Sequence, residues 1–316
     1  MNKTESPRPT GVGERIQGAL DEGRILILGA QILLGSLYRS AFEPGFDHLS
    51  LSFQYLVVIA LGLIVAAFDL LILPVSYRWI VDRGAGRPQF LDFAVDVMKA
   101  ALPVFGASMA LTLFVAAGIV TRHPAGVLLG VVGMSAGVIW LAGIHQGGGK
   151  DRRSMPLKRW PETGSGNEEG SLSEKIKHVL TEARMVLPGA QALLGFQFIT
   201  IMLADFDKLP GSSKLVHLIS LLFTAISVTL LMTPAAYHRI VDKGRNSTEF
   251  HRFAGRILML AMVPLAVAIA ADFYVVVEKV SGSFAVAASS GVLLLALSLG
   301  LWFGWTIYLR RQLDRG

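Results

Sequence analysis

The sequence predicts an all-α integral membrane protein: eight transmembrane helices, arranged as two parallel four-helix repeats about a pseudo-two-fold axis along the membrane normal. Three observations predict it. Hydrophobic residues make up 53% of the chain and charged ones only 16%, with a mean hydropathy of +0.54, a balance suited to a protein whose solvent is largely lipid. Apolar stretches recur at the length a helix needs to cross a bilayer, about 17 to 25 residues. The chain also matches itself without a gap at an offset of 160 residues, so that 28 of the 83 residues from 12 to 94 are identical to their counterparts.

The apolar stretches fall at Ile25–Phe42, Phe53–Leu73, Ala100–Val120, Ala125–Gly143, Leu187–Ala204, Leu215–Thr233, Ile257–Val277 and Phe284–Tyr308. Strands are excluded because no segment alternates with a period of two, and a backbone in lipid must satisfy itself internally. Residues 1–145 form the first repeat and 171–316 the second. Between them, QGGGKDRRSMPLKRWPETGSGNEEG at 146–170 has the glycine, proline and mixed charge of a flexible linker.

Each repeat opens with a short amphipathic helix. In the second, Leu172, Ile176, Val179, Leu180 and Ala183 share helical spacing, and Ser171 or Ser173 is placed to cap it. Such a helix lies in the interface, its basic residues near anionic headgroups.

Lys and Arg set the orientation. The termini, the linker and the loops at 76–99 and 238–256 carry 24 of them, against 5 on the other side. Both termini and the linker are therefore expected in the cytoplasm. The net charge of +6 reads as a sorting and lipid-surface signature and not as nucleic-acid binding. The first apolar segment follows a polar stretch and has no small-residue cleavage pattern behind it, so it is expected to stay as a signal anchor. With no cysteine, disulfides and thiolate metal sites are excluded.

Glu22, Arg24, Gln31 and Gly35 recur as Glu182, Arg184, Gln191 and Gly195. Arg24 and Gln31 are two turns apart on one face, which puts the amide roughly 10 Å deeper than the guanidinium. A glutamine at membrane depth needs a partner, an ion or water, and a glycine one turn on lets a neighbouring backbone approach. Pro188 stands where the first copy has Leu28, and either starts the membrane helix or kinks it.

The second repeated block is PVSYRWIVDRG at 74–84 against PAAYHRIVDKG at 234–244, followed by Phe90, Phe93 and Ala94 against Phe250, Phe253 and Ala254. Here the second helix is expected to leave the membrane at the proline. Tyr77 and Tyr237 would anchor in the interface, and Asp82 and Asp242 are placed to pair with Arg24 and Arg184. Asp69 reads as the only acidic residue well inside an apolar span, since Glu43, Asp272 and Glu278 fall near the outer ends; its counterpart is Thr229.

His238, Asp242, Glu249 and His251 share a loop, but the first repeat has Arg78, Asp82, Gln89 and Leu91 there, and the spacing does not single out a metal site. No phosphate-binding glycine loop, nucleophile elbow or His-x-x-x-His pattern is found. Neither catalysis nor a metal or other cofactor is expected.

With TEARMVLPGAQALLGFQF, TPAAYHRIVDKG and EFHRFAGR in place, the second half resembles the small four-helix bacterial membrane proteins grouped as domain of unknown function 6328. The resemblance covers about 90 residues of each half well. It implies a bacterial inner-membrane location and no established activity, although a sodium/proton antiporter label occurs in the family.

The favoured reading is transport of a small ion or solute, cation/proton antiport among the choices, with Gln31, Gln191 and Asp69 lining or gating the path. Proton antiport would call for a titratable pair near the midplane, and one off-centre aspartate falls short of that. The alternative is a non-transporting scaffold or envelope-stress protein that binds anionic lipid or a partner protein. Further association into a homo-oligomer is left open.

Overall fold

The computed structural model describes residues 12–82, 88–121, 168–240 and 247–315. Among them are seven helices: α1 Val12–Ser40, α2 Leu51–Ile80, α3 Pro88–Thr121, α4 Glu168–Ile201, α5 Gly211–Ile240, α6 Thr248–Ser281 and α7 Phe284–Leu313. No strand occurs among the described residues. The apolar segment Ala125–Gly143, most of the linker and Asp242 lie outside them.

Five of these helices, α2, α3, α5, α6 and α7, are long and apolar enough to cross a membrane, and Met185–Ile201 within α4 is a shorter apolar stretch. Their outward faces are as apolar as their inward ones. Leu218, Leu222 and Ile226 on α5, Leu260 and Val263 on α6, and Val292, Leu293 and Leu297 on α7 are all exposed, an arrangement that water would penalise and lipid would not.

The amphipathic lead-ins are not separate helices. α4 runs unbroken from Glu168, inside the stretch whose composition suggests linker, so Ser171 and Ser173 lie within the helix and do not cap it. The helices run on past their prolines, to Ile80 and Ile240 in α2 and α5, and Pro188 does not start α4. Pro74, Pro188 and Pro234 are all interior, where packing against neighbours makes good the lost hydrogen bond. True caps occur on the later helices: Ser247 accepts from Phe250 N at 3.0 Å, and Gly282 closes α6 at φ 63°, a conformation open to glycine.

α1 packs on α4, α2 on α3, α5 on α6, and α6 on both α2 and α7. The loops at 41–50 and 202–210 meet at one end of the bundle, where Lys279 Nζ is 2.9 Å from Asp47 and 3.7 Å from Asp205. At the other end each half repeats one aromatic clasp. Tyr77 stacks on Phe93 with centroids 4.1 Å apart and on Phe90 at 6.5 Å; Tyr237 meets Phe253 at 4.6 Å and Phe250 at 6.1 Å. The clasp fastens the end of α2 to the start of α3, and α5 to α6, by the same rings in both copies.

Inside α7, residues Gly300–Trp305 form a π-helical turn. It carries Trp302, wholly buried, whose ring meets Phe68 of α2 edge-on at 6.1 Å. α7 of the second half is thereby anchored on α2 of the first.

Candidate functional site

The repeated residues of α1 and α4 do not share an environment. Gln31 is fully buried and neither of its amide atoms has a hydrogen-bond partner, whereas Gln191 is exposed. The side chain of Gln31 occupies the space that a Cβ at Gly189 would need. Gly35 takes the ring of Phe196 in the same way, but Gly195 has nothing within 4 Å of its missing Cβ. The cause is in the neighbours: the counterpart of Phe196 is Ser36, too small to reach across to Gly195. The expected glutamine pair is thus one buried amide and one outward-facing amide, and close packing belongs to Gly35 and Gly189.

Arg24 is exposed and does not pair with Asp82, which is buried. The side chains of Glu22, Glu182 and Arg184, and all of Asp242, lie outside the described residues. Thr229 is exposed, its hydroxyl donating to the Ala225 carbonyl of its own helix at 2.8 Å. His251 meets Trp79 at a tilt with centroids 5.0 Å apart, and His238 meets Phe250 likewise at 4.8 Å.

Asp69 is buried at 5% exposure in the seam between α2 and α7. Ser298 Oγ donates to its Oδ2 at 2.8 Å, and Trp302 Nε1–H donates to its backbone carbonyl at 3.0 Å. Its other carboxyl oxygen is unpartnered. The partner supplied by the fold is therefore a serine from the other half, not the basic residue at the helix end.

Asp69 is not alone, and here the sequence reading is corrected. Asp272, placed near an outer end by position along α6, is 2% exposed and belongs to a polar cluster with Gln197 of α4 and His217 and Ser220 of α5, each 0% exposed, and Tyr38 of α1. Gln197 Nε2 donates to Asp272 Oδ2 at 2.7 Å and to Ser220 Oγ at 2.8 Å. Ser220 donates onward to the Ala268 carbonyl at 2.9 Å.

His217 joins the rest. Its Nε2 is 3.0 Å from the Gln197 carbonyl, an oxygen that can only accept, so Nε2 carries a hydrogen. Nδ1 is 2.6 Å from the Tyr38 hydroxyl and 3.6 Å from Asp272 Oδ1, which has no hydrogen-bond partner. The rings of Tyr38 and His217 stack at 5.6 Å, and Phe206 closes over the imidazole edge-on at 5.1 Å.

An imidazole, a phenol and a carboxylate are thus held in mutual reach with water excluded. Chemically, this arrangement can hold a proton in two places. With the proton on Nδ1, the phenol oxygen accepts it; with the imidazole neutral, the phenol donates back.

The cluster faces an interstice between α1, α2 and α6, lined by Leu34, Leu61, Val65 and Ile269, that is too narrow for water. Toward the loop end stands an ionic clamp. Lys279 donates to the Ala41 carbonyl at 2.6 Å and lies over the rings of Phe42 and Phe46. Lys208 pairs with Asp205 at 2.6 Å. That ammonium holds the Asp205 carboxyl below the usual carboxylate range, with Lys279 adding to the effect against the opposing influence of burial.

These residues are missed by a search for features shared between repeats. Positions 37, 57, 60 and 112 carry Leu, Val, Ala and Thr where the second half has Gln197, His217, Ser220 and Asp272. The signal available was the reverse one: polar residues in apolar spans that only one copy possesses.

Helical, apolar on its outside and closed around buried polar groups, the molecule belongs to the class of proteins built to be compatible with a membrane. The sequence profile of the family of unknown function DUF6328 matches it twice, at residues 14–144 and 167–306. The chain belongs to that family and carries its domain in tandem. No curated protein and no solved structure matches it.

Proposed function

We propose that the chain is an eight-span membrane protein of two parallel repeats, with termini and linker on the cytoplasmic side, that moves a small ion or solute in exchange with or alongside protons. Tyr38, His217 and Asp272 are its proton-carrying groups. One observation carries the reading: three titratable side chains from α1, α5 and α6 meet inside an apolar bundle, where ionisable groups are costly unless used. To Asp69 the fold adds a second buried carboxyl, Asp272, and the His217 imidazole, both in the loop-end half of their helices.

The step is a proton transfer that balances within the chain. A proton leaves His217 Nδ1 for Asp272 Oδ1, 3.6 Å away, and the Tyr38 hydroxyl then donates to the freed Nδ1, which converts an imidazolium and a carboxylate into two neutral groups. Lys279, Asp205 and Glu278 stand toward the loop end and set the field there. Asp69 would be the carboxyl on the cytoplasmic side of the same path, one helical turn beyond Val65. Leu61, Val65 and Ile269 keep the two carboxyls apart, so the conformation is an occluded one.

That dryness also favours a second reading, a static scaffold in which the cluster only fixes helix positions. Reconstitution into proteoliposomes with an internal pH dye, under an imposed sodium or potassium gradient, separates the two. Proton flux is expected from the wild type and a loss of about tenfold or more, 1.4 kcal/mol in the barrier, from Asp272→Asn. Retention of wild-type flux by both Asp272→Asn and His217→Gln would remove the site, and a folded wild type with no flux under any gradient would favour the scaffold.

A further inference from the structure

At the end of the bundle opposite the ionic clamp, α2, α6 and α7 enclose a groove of about 580 Å³ whose walls include Trp79, Arg252, Arg256, Met259, Val263 and Phe303. We infer that this groove is a binding site for one anionic phospholipid, with its phosphate on Arg252 and Arg256 and an acyl chain along Met259 and Val263.

The residues divide by chemistry along one strip of α6. Positions 252, 256, 259, 260 and 263 recur at helical spacing, so the two guanidinium groups and the apolar side chains lie on the same face in that order. Arg252 and Arg256 are exposed, and no described residue pairs with either. They sit in the second and third turns of α6, after the acidic residue of its first turn, Glu249. A turn further on the character changes: Leu260 is 55% and Val263 38% exposed, apolar surface left bare next to a pair of uncompensated cations.

That succession, two cations and then roughly 10 Å of apolar channel, complements a phosphodiester with a hydrocarbon chain attached. A free phosphate would leave the channel empty, and a neutral lipid would leave the guanidiniums unanswered. The groove is also built and not incidental. The ring of Trp79 lies where a Cβ at Gly255 would be and meets His251 at a tilt, so the glycine between the two arginines lets the indole floor the groove, and an indole suits the headgroup boundary.

The inference rests on the membrane placement of α6 and α7 and is independent of transport: the site would be occupied in a scaffold as well. Because it joins α2 of one repeat to α6 and α7 of the other, a bound lipid would hold the halves together at the end that lacks the clamp.

The full chain purified in a neutral detergent is to be examined by native mass spectrometry and thermal shift with dioleoyl phosphatidylglycerol, dioleoyl phosphatidylcholine or inorganic phosphate added. Retention of phosphatidylglycerol over phosphatidylcholine, with a raised unfolding temperature, is expected. Arg252→Gln with Arg256→Gln should weaken retention about tenfold, whereas Arg310→Gln with Arg311→Gln, the same change of charge elsewhere on the same end, should not. Val263→Trp, which fills the channel and keeps both arginines, should weaken it too.

Equal retention of the two lipids, an equal effect of the two arginine pairs, or stabilisation by inorganic phosphate that matches the lipid's would each overturn the site. Loss of proton flux in the Asp272 variant leaves this outcome untouched, so the two readings fail separately.

Discussion

The third of the second repeat nearest the ionic clamp and the same third of the first are built on one plan and filled with opposite chemistry. In the first, Leu37, Val57, Ala60 and Thr112 occupy the four positions; in the second, Gln197, His217, Ser220 and Asp272 do. The scaffold beneath is common to both. Ser108 of α3 donates to the Ala60 carbonyl of α2 at 2.8 Å, and Ser220 of α5 donates to the Ala268 carbonyl of α6 at 2.9 Å. These are equivalent positions bridged by one hydrogen bond, with donor and acceptor exchanged. Duplication kept the helix pairing and freed one copy to carry a buried polar network, to which the other contributes only Tyr38.

The largest effect should come from turning the second repeat into the first. Asp272→Thr alone takes from the Gln197 amide one of its two acceptors and from the imidazole its neighbouring carboxylate, while Ser220 and Tyr38 still hold them, at a cost of about 1–3 kcal/mol for the lost charge-assisted bond. Gln197→Leu, His217→Val, Ser220→Ala and Asp272→Thr, with Tyr38→Phe so that no buried hydroxyl is left behind, together remove the network whole and should be close to neutral in stability, since a complete buried polar set is often exchanged for apolar residues at little cost. Denaturation of the purified variants in detergent ranks them. A fivefold variant less stable than the single one would mean that the cluster fills a shape the first repeat's residues do not.

The α1–α4 seam offers a smaller contrast. Gly189→Ala collides with Gln31 and should destabilise by about 1–3 kcal/mol through overpacking, while Gly195→Ala, with open space around it, should change almost nothing. Equal melting temperatures for the two would show that Gln31 moves aside freely, and so that its burial is not specified by packing.

The clamp should give the least. The folded pKa of Asp205 is depressed, so its contribution is present above the unfolded value of about 3.9 and is lost as pH falls through the lower folded value. Its partner Lys208 is well exposed, which keeps the gain small. Protease accessibility of the 202–210 loop should therefore rise only below about pH 4, and Lys208→Gln should lessen that dependence. A rise already complete near neutral pH would assign the opening to another group.

How much was legible follows from where each property resides. The residues of the aromatic clasps stood out because Tyr77, Phe90 and Phe93 recur with unchanged type and spacing as Tyr237, Phe250 and Phe253, but the role expected of the tyrosines was an interface anchor, and their contact with the phenylalanines came from the fold. The polar cluster did not stand out. Its members come from four helices, and Asp272 was discounted by its distance from a helix end, a measure along the axis that says nothing of which way the helix is turned. The clamp on Asp205 was hidden for a related reason, as Asp47 and Lys279 lie far from it in the chain.

By itself the sequence determined the helical class, the tandem domain and the outward apolar faces, because hydropathy, periodicity and self-similarity are properties of local runs of residues. Tertiary structure alone decided that Gln31 is buried and Gln191 is not, that Asp69 bonds Ser298, and that His217, Tyr38 and Asp272 meet. Those outcomes depend on the rotation of one helix against another, and the volumes of single neighbours set that rotation. Phe196 against Ser36 is enough to make two copies of one motif unlike.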